Sequence, residues 1–219
     1  MKLYTSVGPN PRVVRMFAAE RGIHLHEHWI DLVAGENRQA PFLEINPAGQ
    51  LPALELPSGQ VIAESLAICE YLDETSPAPF LIGATPENKA TVRMWTRRAD
   101  LAFNQPITAA FRYGPGLSVF KERVHCVPQA AEDMKAIASK AAAWFDTQLA
   151  GKDYIAGNDF SLADIVLYCF IDFAARRAGL PIDPDQKKLL EWFTRIDARS
   201  SAAESLTGTY GPASAKERR

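Results

Sequence analysis

Between Lys2 and Asp73 the chain alternates strand-like and helix-like patterns, then closes on a hairpin and one more helix. Few sheets accept that order. Lys2 to Thr5 reads as a short strand that ends at the turn Gly8-Pro9-Asn10-Pro11. Arg12 to Arg21 reads as a helix, with Val13, Val14, Phe17 and Ala18 on one face and Gly22 beyond its end. Leu25 to Leu32 is a second strand pattern, and Ala40 to Ile45 a short helix closed by Asn46-Pro47-Ala48-Gly49. Ala53 to Leu56 and Val61 to Ala63 flank Pro57-Ser58-Gly59-Gln60, a hairpin signal, and Ser65 to Asp73 is helical. A right-handed βαβ crossover makes the first two strands parallel, while the hairpin makes the last two antiparallel. Residues 1–76 are thus expected to form an α/β unit, a mixed four-stranded sheet with helices on its faces.

The rest reads as all-α. A proline- and glycine-rich linker over 77–86 leads to helical patterns at Glu87 to Tyr113, Val119 to Leu149, Leu162 to Ala178 and Asp185 to Arg199. A helical-bundle domain over 87–205 and a flexible tail over 206–219 are expected. Net charge is -2, which gives no basic footprint for nucleic acid. No long apolar run suggests a membrane span and no leader pattern stands at Met1, so a cytoplasmic protein is expected. Cys69, Cys126 and Cys169 form no paired spacing, which argues against a disulfide framework, and Cys69 and Cys169, inside apolar helical patterns, read as small core residues.

Three pieces of the first unit carry possible chemistry. In Gly8-Pro9-Asn10-Pro11, Asn10 is a favoured N-cap and the following proline suits a first helical turn. The same helix start offers N–H groups and a partial positive charge to an anion, and lowers the pKa of a thiol placed there. Leu51-Pro52 precedes a strand; a cis bond there would leave the Leu51 backbone free to pair with an extended peptide. In Ala63-Glu64-Ser65-Leu66, Ser65 reads as an N-cap whose hydroxyl, with the backbone N–H groups, suits a carboxylate, and Glu64 suits an ammonium. Each piece also serves as a plain structural start or turn.

Together they resemble the glutathione transferase superfamily, in its cytosolic, bacterial type with an asparagine at the first helix start. Asn46-Pro47-Ala48-Gly49-Gln50-Leu51-Pro52-Ala53-Leu54 resembles its cis-proline loop, Ala63-Glu64-Ser65-Leu66-Ala67-Ile68 its γ-glutamyl-binding turn, and Gly157-Asn158-Asp159-Phe160-Ser161-Leu162-Ala163-Asp164 the capping box of its second domain. The resemblance spans residues 1–205 and implies a thioredoxin-like N-terminal domain, a helical C-terminal domain, a homodimer and glutathione as cosubstrate, with no metal. It further implies that Leu51 and Pro52 hold the cysteinyl backbone, that Glu64 and Ser65 take the γ-glutamyl end, and that Gln50 lies near the glycyl end.

Many members carry Tyr, Ser or Cys facing the sulfur, whereas here Asn10 stands at the helix start, with Ser6 at the strand end as the competitor. The expected reaction is attack of the glutathione thiolate on a small electrophile or a disulfide, with disulfide reductase or peroxidase activity open. A non-catalytic glutathione- or ligand-binding protein is the alternative. Phe103, Phe111 and Tyr113 stand at helical spacing where they either line a second-substrate pocket or pack a core, and Arg97 or Asp100 is a further candidate for a glutathione charge. His24, His26 and His28 alternate along a strand and read as a solvated face rather than a metal site. Ser161-x-x-Asp164 is a capping box, with Phe160 and Ile165 placed as a hydrophobic staple.

Overall fold

The computed structural model describes residues 1–207 and 209 of the 219. They divide into two compact units. One is Met1–Phe80 with the described residues from Arg199 on; the other is Leu81–Ala198.

In the first unit the strands β1 (Lys2–Thr5), β2 (His26–Trp29), β3 (Ala53–Glu55) and β4 (Val61–Ala63) form one sheet in the order β2-β1-β3-β4. β1 and β2 run parallel, with Leu3 opposite Glu27; β1–β3 and β3–β4 are antiparallel. The expected mixed sheet is present. β2 is shorter than the run Leu25 to Leu32 suggested, because the partner strand ends first. Beyond Trp29 the Ile30 N–H still reaches the Thr5 carbonyl, but the Ile30 carbonyl is taken by the Ser6 hydroxyl at 2.6 Å. As an edge strand, β2 exposes His26, Glu27, His28 and Trp29 alike.

Helices α1 (Pro9–Glu20), α2 (Ala40–Ile45) and α3 (Ser65–Glu74) complete this part. α1 begins three residues before the expected Arg12. Its first-turn N–H groups lack helical partners anyway, so Pro9 and Pro11 are admitted without losing a hydrogen bond. Every residue from Pro11 to Ala18 is buried, Arg12 and Arg15 included. The core joins Leu3 and Leu54 of the sheet to Val14, Met16 and Phe17 of α1 and Ile68 and Leu72 of α3.

The second unit holds α4 (Pro86–Ala99), α5 (Gln105–Tyr113), α6 (Leu117–Phe120), α7 (Ala131–Gln148), α8 (Leu162–Arg177) and α9 (Lys187–Asp197). The continuous helix expected from Glu87 to Tyr113 is interrupted by a π-helical turn, Asp100–Asn104. Pro106 follows it and cannot donate backward, so the widened turn absorbs the missing bond. The expected helix from Val119 to Leu149 is likewise divided: α6 ends at Phe120, and Pro128 opens a 3-10 turn ahead of α7. Gly116 allows the close turn between α5 and α6, where a Cβ would stand 2.7 Å from the Phe111 ring. Cys69 and Cys169 are buried, as expected of core cysteines, while Cys126 is half-buried.

A last helix, α10 (Ser200–Leu206), belongs to the first unit, not to the helical domain in which the sequence pattern placed residues 87–205. Polar groups on α1 draw it there. Arg12 donates to the Ala202 carbonyl at 3.2 Å, and Arg199 donates twice to the Glu20 carboxylate at 2.7 Å. Of the expected flexible tail over 206–219, Leu206, Thr207 and Thr209 are ordered parts of this contact; the remainder lies outside the described residues.

Candidate active site

α1 grows from a strand end through Gly8, whose φ of 112° only a glycine adopts readily. Gly8 is therefore the N-cap and Pro9 the first helical residue, which makes Asn10 the second residue of the helix and not the N-cap expected. The correction narrows the chemistry. Pro9 and Pro11 have no N–H, and the Gly8 N–H donates to the Thr209 carbonyl at 2.8 Å. The Arg12 N–H closes the first helical bond, onto the Gly8 carbonyl at 3.4 Å. Among the described residues, the one backbone donor left at this helix start is the Asn10 N–H.

α3 begins 55 residues along the chain from Asn10, at Ser65, after Glu64 with φ 69°. Glu64 is the sole non-glycine with positive φ among the described residues. Strain of that kind persists where the surroundings impose it, and it clusters at functional sites. Ser65 is the first helical residue rather than the expected N-cap, and its hydroxyl is not spare. It donates to the Asn10 carbonyl at 3.1 Å, with the Asn10 Oδ1 at 3.5 Å, and is buried to 7% exposure. One serine proton thus ties two helix starts together. The Asn10 side chain is exposed with its NH2 uncommitted, and the N–H groups of Ser65, Leu66 and Ala67 form the open first turn of α3.

The third piece lies between them in the chain. The Leu51–Pro52 bond is cis, and both residues are buried while Gln50 is exposed. β3 begins only at Ala53, so the Leu51 backbone stands outside the sheet ladder. Buried asparagines hold this loop: Asn46 Nδ2 donates to the Gln50 carbonyl at 2.8 Å, and Asn37 Nδ2 to the Gly49 carbonyl at 2.7 Å. Asn37 was not legible as a support, since nothing in its local pattern marks it.

Other candidates are drawn elsewhere. Ser6 is 1% exposed, donates to the Ile30 carbonyl and receives the Leu32 N–H at 3.4 Å, so its hydroxyl is occupied in closing the sheet. Tyr4 is core, with its hydroxyl on Glu55. In the second unit Phe103 is 2% exposed among core side chains, and Phe111 stacks edge-on against Phe173 at 5.0 Å. Tyr113 is half-buried. Arg97 and Asp100 pair with each other at 2.6 Å. Among the described residues no group of three or more His, Cys, Asp or Glu side chains is placed to hold a metal ion, and no helix is long and apolar enough to cross a membrane.

Comparison with known proteins places the chain in a family. Residues 7–75 match the glutathione S-transferase N-terminal domain and residues 128–195 the C-terminal domain. Glutathione S-transferase 2 of Saccharomyces cerevisiae is 32% identical over 209 residues, covering 92% of this chain and 87% of that protein. The crystal structure of Gtt2 from Saccharomyces cerevisiae superposes with a TM-score of 0.86 at 32% identity, covering 94% of this chain and 100% of that one. A glutathione S-transferase from Methylobacillus flagellatus, solved with glutathione bound, gives a TM-score of 0.80 at 27% identity over 93% of this chain and 98% of that one. The first unit has the thioredoxin-like fold and the second the helical fold of these proteins. With a relative this similar over nearly the whole chain, the protein belongs to the glutathione S-transferase family.

Proposed function

We propose that this transferase binds glutathione across the two joined helix starts and ionises its thiol at Asn10. The Ser65–Asn10 hydrogen bond carries the reading, because it sets an anion-accepting turn beside the Asn10 N–H and NH2 donors. The γ-glutamyl carboxylate meets the N–H groups of Ser65 and Leu66, and its ammonium meets Glu64. The Ser65 hydroxyl holds the turn instead of the ligand. The cysteinyl backbone pairs with Leu51 beside Pro52, and Gln50 serves the glycyl end.

Magnitudes assign the thiolate role. Lowering a thiol pKa by two units takes about 2.7 kcal/mol. An exposed helix start supplies about 0.3–1 kcal/mol, and one hydrogen bond to a charged group about 1.5–3 kcal/mol. The larger share therefore falls to the Asn10 amide donors, not to the helix dipole. Ser6, buried and engaged with Ile30, has no free proton for sulfur. The thiol proton passes to solvent, and the thiolate attacks an electrophilic carbon and displaces its leaving group, or attacks a disulfide sulfur and expels the other sulfur as a thiolate. Relatives named as transferases favour this over a non-catalytic binder. Measuring turnover of Asn10→Ala at saturating glutathione tests the assignment, and an unchanged rate refutes it.

A cytoplasmic homodimer fits the same reading. Met94 and Leu101 are 41% and 49% exposed seven positions apart, an apolar stripe uncovered in a single copy. Sedimentation of Leu101→Glu, expected as monomer, checks it.

A further inference from the structure

Asn10 is positioned by the residue two before it. Pro9 has a fixed φ, so the freedom at this helix start lies in Gly8, the residue type with the widest backbone range. What holds Gly8 is its N–H donating to the Thr209 carbonyl at 2.8 Å. Thr209 is fully buried, and its own polar groups are all engaged. Its N–H reaches the Leu206 carbonyl at 3.0 Å and its hydroxyl donates to the Ser205 carbonyl at 2.7 Å. The buried Arg15 guanidinium donates to the Thr209 hydroxyl oxygen and to the Thr207 carbonyl. Arg12 adds a bond to the Ser205 hydroxyl at 3.3 Å.

We propose that Thr209, clamped by Arg15, is a positioning residue for the thiolate site: it locks the Gly8 hinge and so fixes where the Asn10 donors stand. The proposal rests on the Asn10 reading above. Thr209 touches no substrate; it acts through Gly8. Displacement of a reacting group by about 1 Å costs up to about a hundredfold in rate, so a loosened hinge is felt in chemistry before it is felt in binding. Leu51 and Glu64 make no bond to Gly8 or Asn10, and they retain glutathione.

The test compares Thr209→Val, which removes the hydroxyl at constant size, with Thr209→Ser, which keeps it, in the full chain. Four quantities are read: amide hydrogen exchange at Gly8, the pH at which bound glutathione ionises, turnover near neutral pH, and the glutathione Kd. In Thr209→Val, Gly8 exchange is expected to rise about tenfold or more, ionisation to move to higher pH, and turnover near neutral pH to fall about tenfold. Kd stays within about twofold, and Thr209→Ser restores all three. If Thr209→Val fails to fold, Arg15→Lys carries the same comparison. A Gly8 amide that exchanges freely in the unaltered protein overturns the proposal, as does unchanged ionisation when that amide has been released. Absence of ionisation in the unaltered protein overturns the Asn10 reading and takes the proposal with it, so the two failures are told apart.

Discussion

Two helix starts in this molecule are secured in opposite ways. α8 is capped by its own neighbours: Ser161 and Asp164 form a reciprocal box at the first turn. The Asp164 carboxylate also accepts from the Ile155 N–H at 2.8 Å and the Trp192 Nε1–H at 2.9 Å. Burial pushes the Asp164 carboxyl up, against these donors, which pull it down. α1 has no side-chain cap at all, and its N-cap glycine is held by a residue from the far end of the chain. A start boxed by its own side chains is buried with them, as Leu162, Ala163 and Asp164 are. One held from behind keeps its front face open.

The contrast breaks first at Asp164. Asp164→Ala strips an acceptor from four buried donors, the Ile155 N–H, the Ser161 N–H and hydroxyl, and the Trp192 Nε1–H, and about 3–5 kcal/mol of stability should be lost in urea unfolding. At α1 the largest effect is on rate. Asn10→Ala should lower turnover about 10–100-fold while changing unfolding free energy by less than about 0.5 kcal/mol. Equal losses of stability at Asn10 and Asp164 would erase the distinction. Ser161→Ala removes one arm of the box and should cost about 1 kcal/mol, again without effect on glutathione binding.

The smallest effect concerns the contact that brings α10 to α1. Burial raises the Glu20 carboxyl, but hydrogen bonds from Arg199 and Ser201 and the Arg199 charge outweigh it, and the net direction is down. With the folded value below the ordinary 4.5, its stabilisation is present above that pH and lost as pH falls through the lowered value. Glu20→Gln should therefore flatten the acid limb of the stability profile below about pH 4.5 and leave Asp164-dependent stability unchanged. An identical acid limb in the two proteins would show that the Glu20–Arg199 pair carries nothing.

What was legible in the sequence follows the same division. The α8 box could be read at sight, because Ser161 and Asp164 lie three positions apart and act on each other. The parallel first pair and antiparallel last pair of strands followed from strand and helix periodicity together with the hairpin at Pro57-Ser58-Gly59-Gln60. The candidate site was legible as three separate pieces whose meaning depends on being adjacent, and adjacency is not local. The Ser65–Asn10 bond spans 55 positions, and the Arg15–Thr209 bond spans 194. Nothing near Arg12 or Arg15 announced buried partners, though arginines on both sides of Val13-Val14 in an otherwise apolar helix were a hint that more than one face is covered. Two placements missed by one or two residues, Asn10 and Ser65 as N-caps, because glycine and a positive-φ glutamate took the cap positions that propensity gives to asparagine and serine.

The pairing of α1 with α10 also bears on biosynthesis. A ribosome delivers Gly8, Arg12 and Arg15 long before their partners from Ala202 to Thr209. Until then two arginines destined for burial lack the carbonyls that satisfy them. The sheet and its first three helices are complete by Glu74, yet the first unit gains α10 only after the described helices of the other unit have been made. A nascent chain stalled at Phe80 should therefore be compact and short of its full amide protection at Gly8.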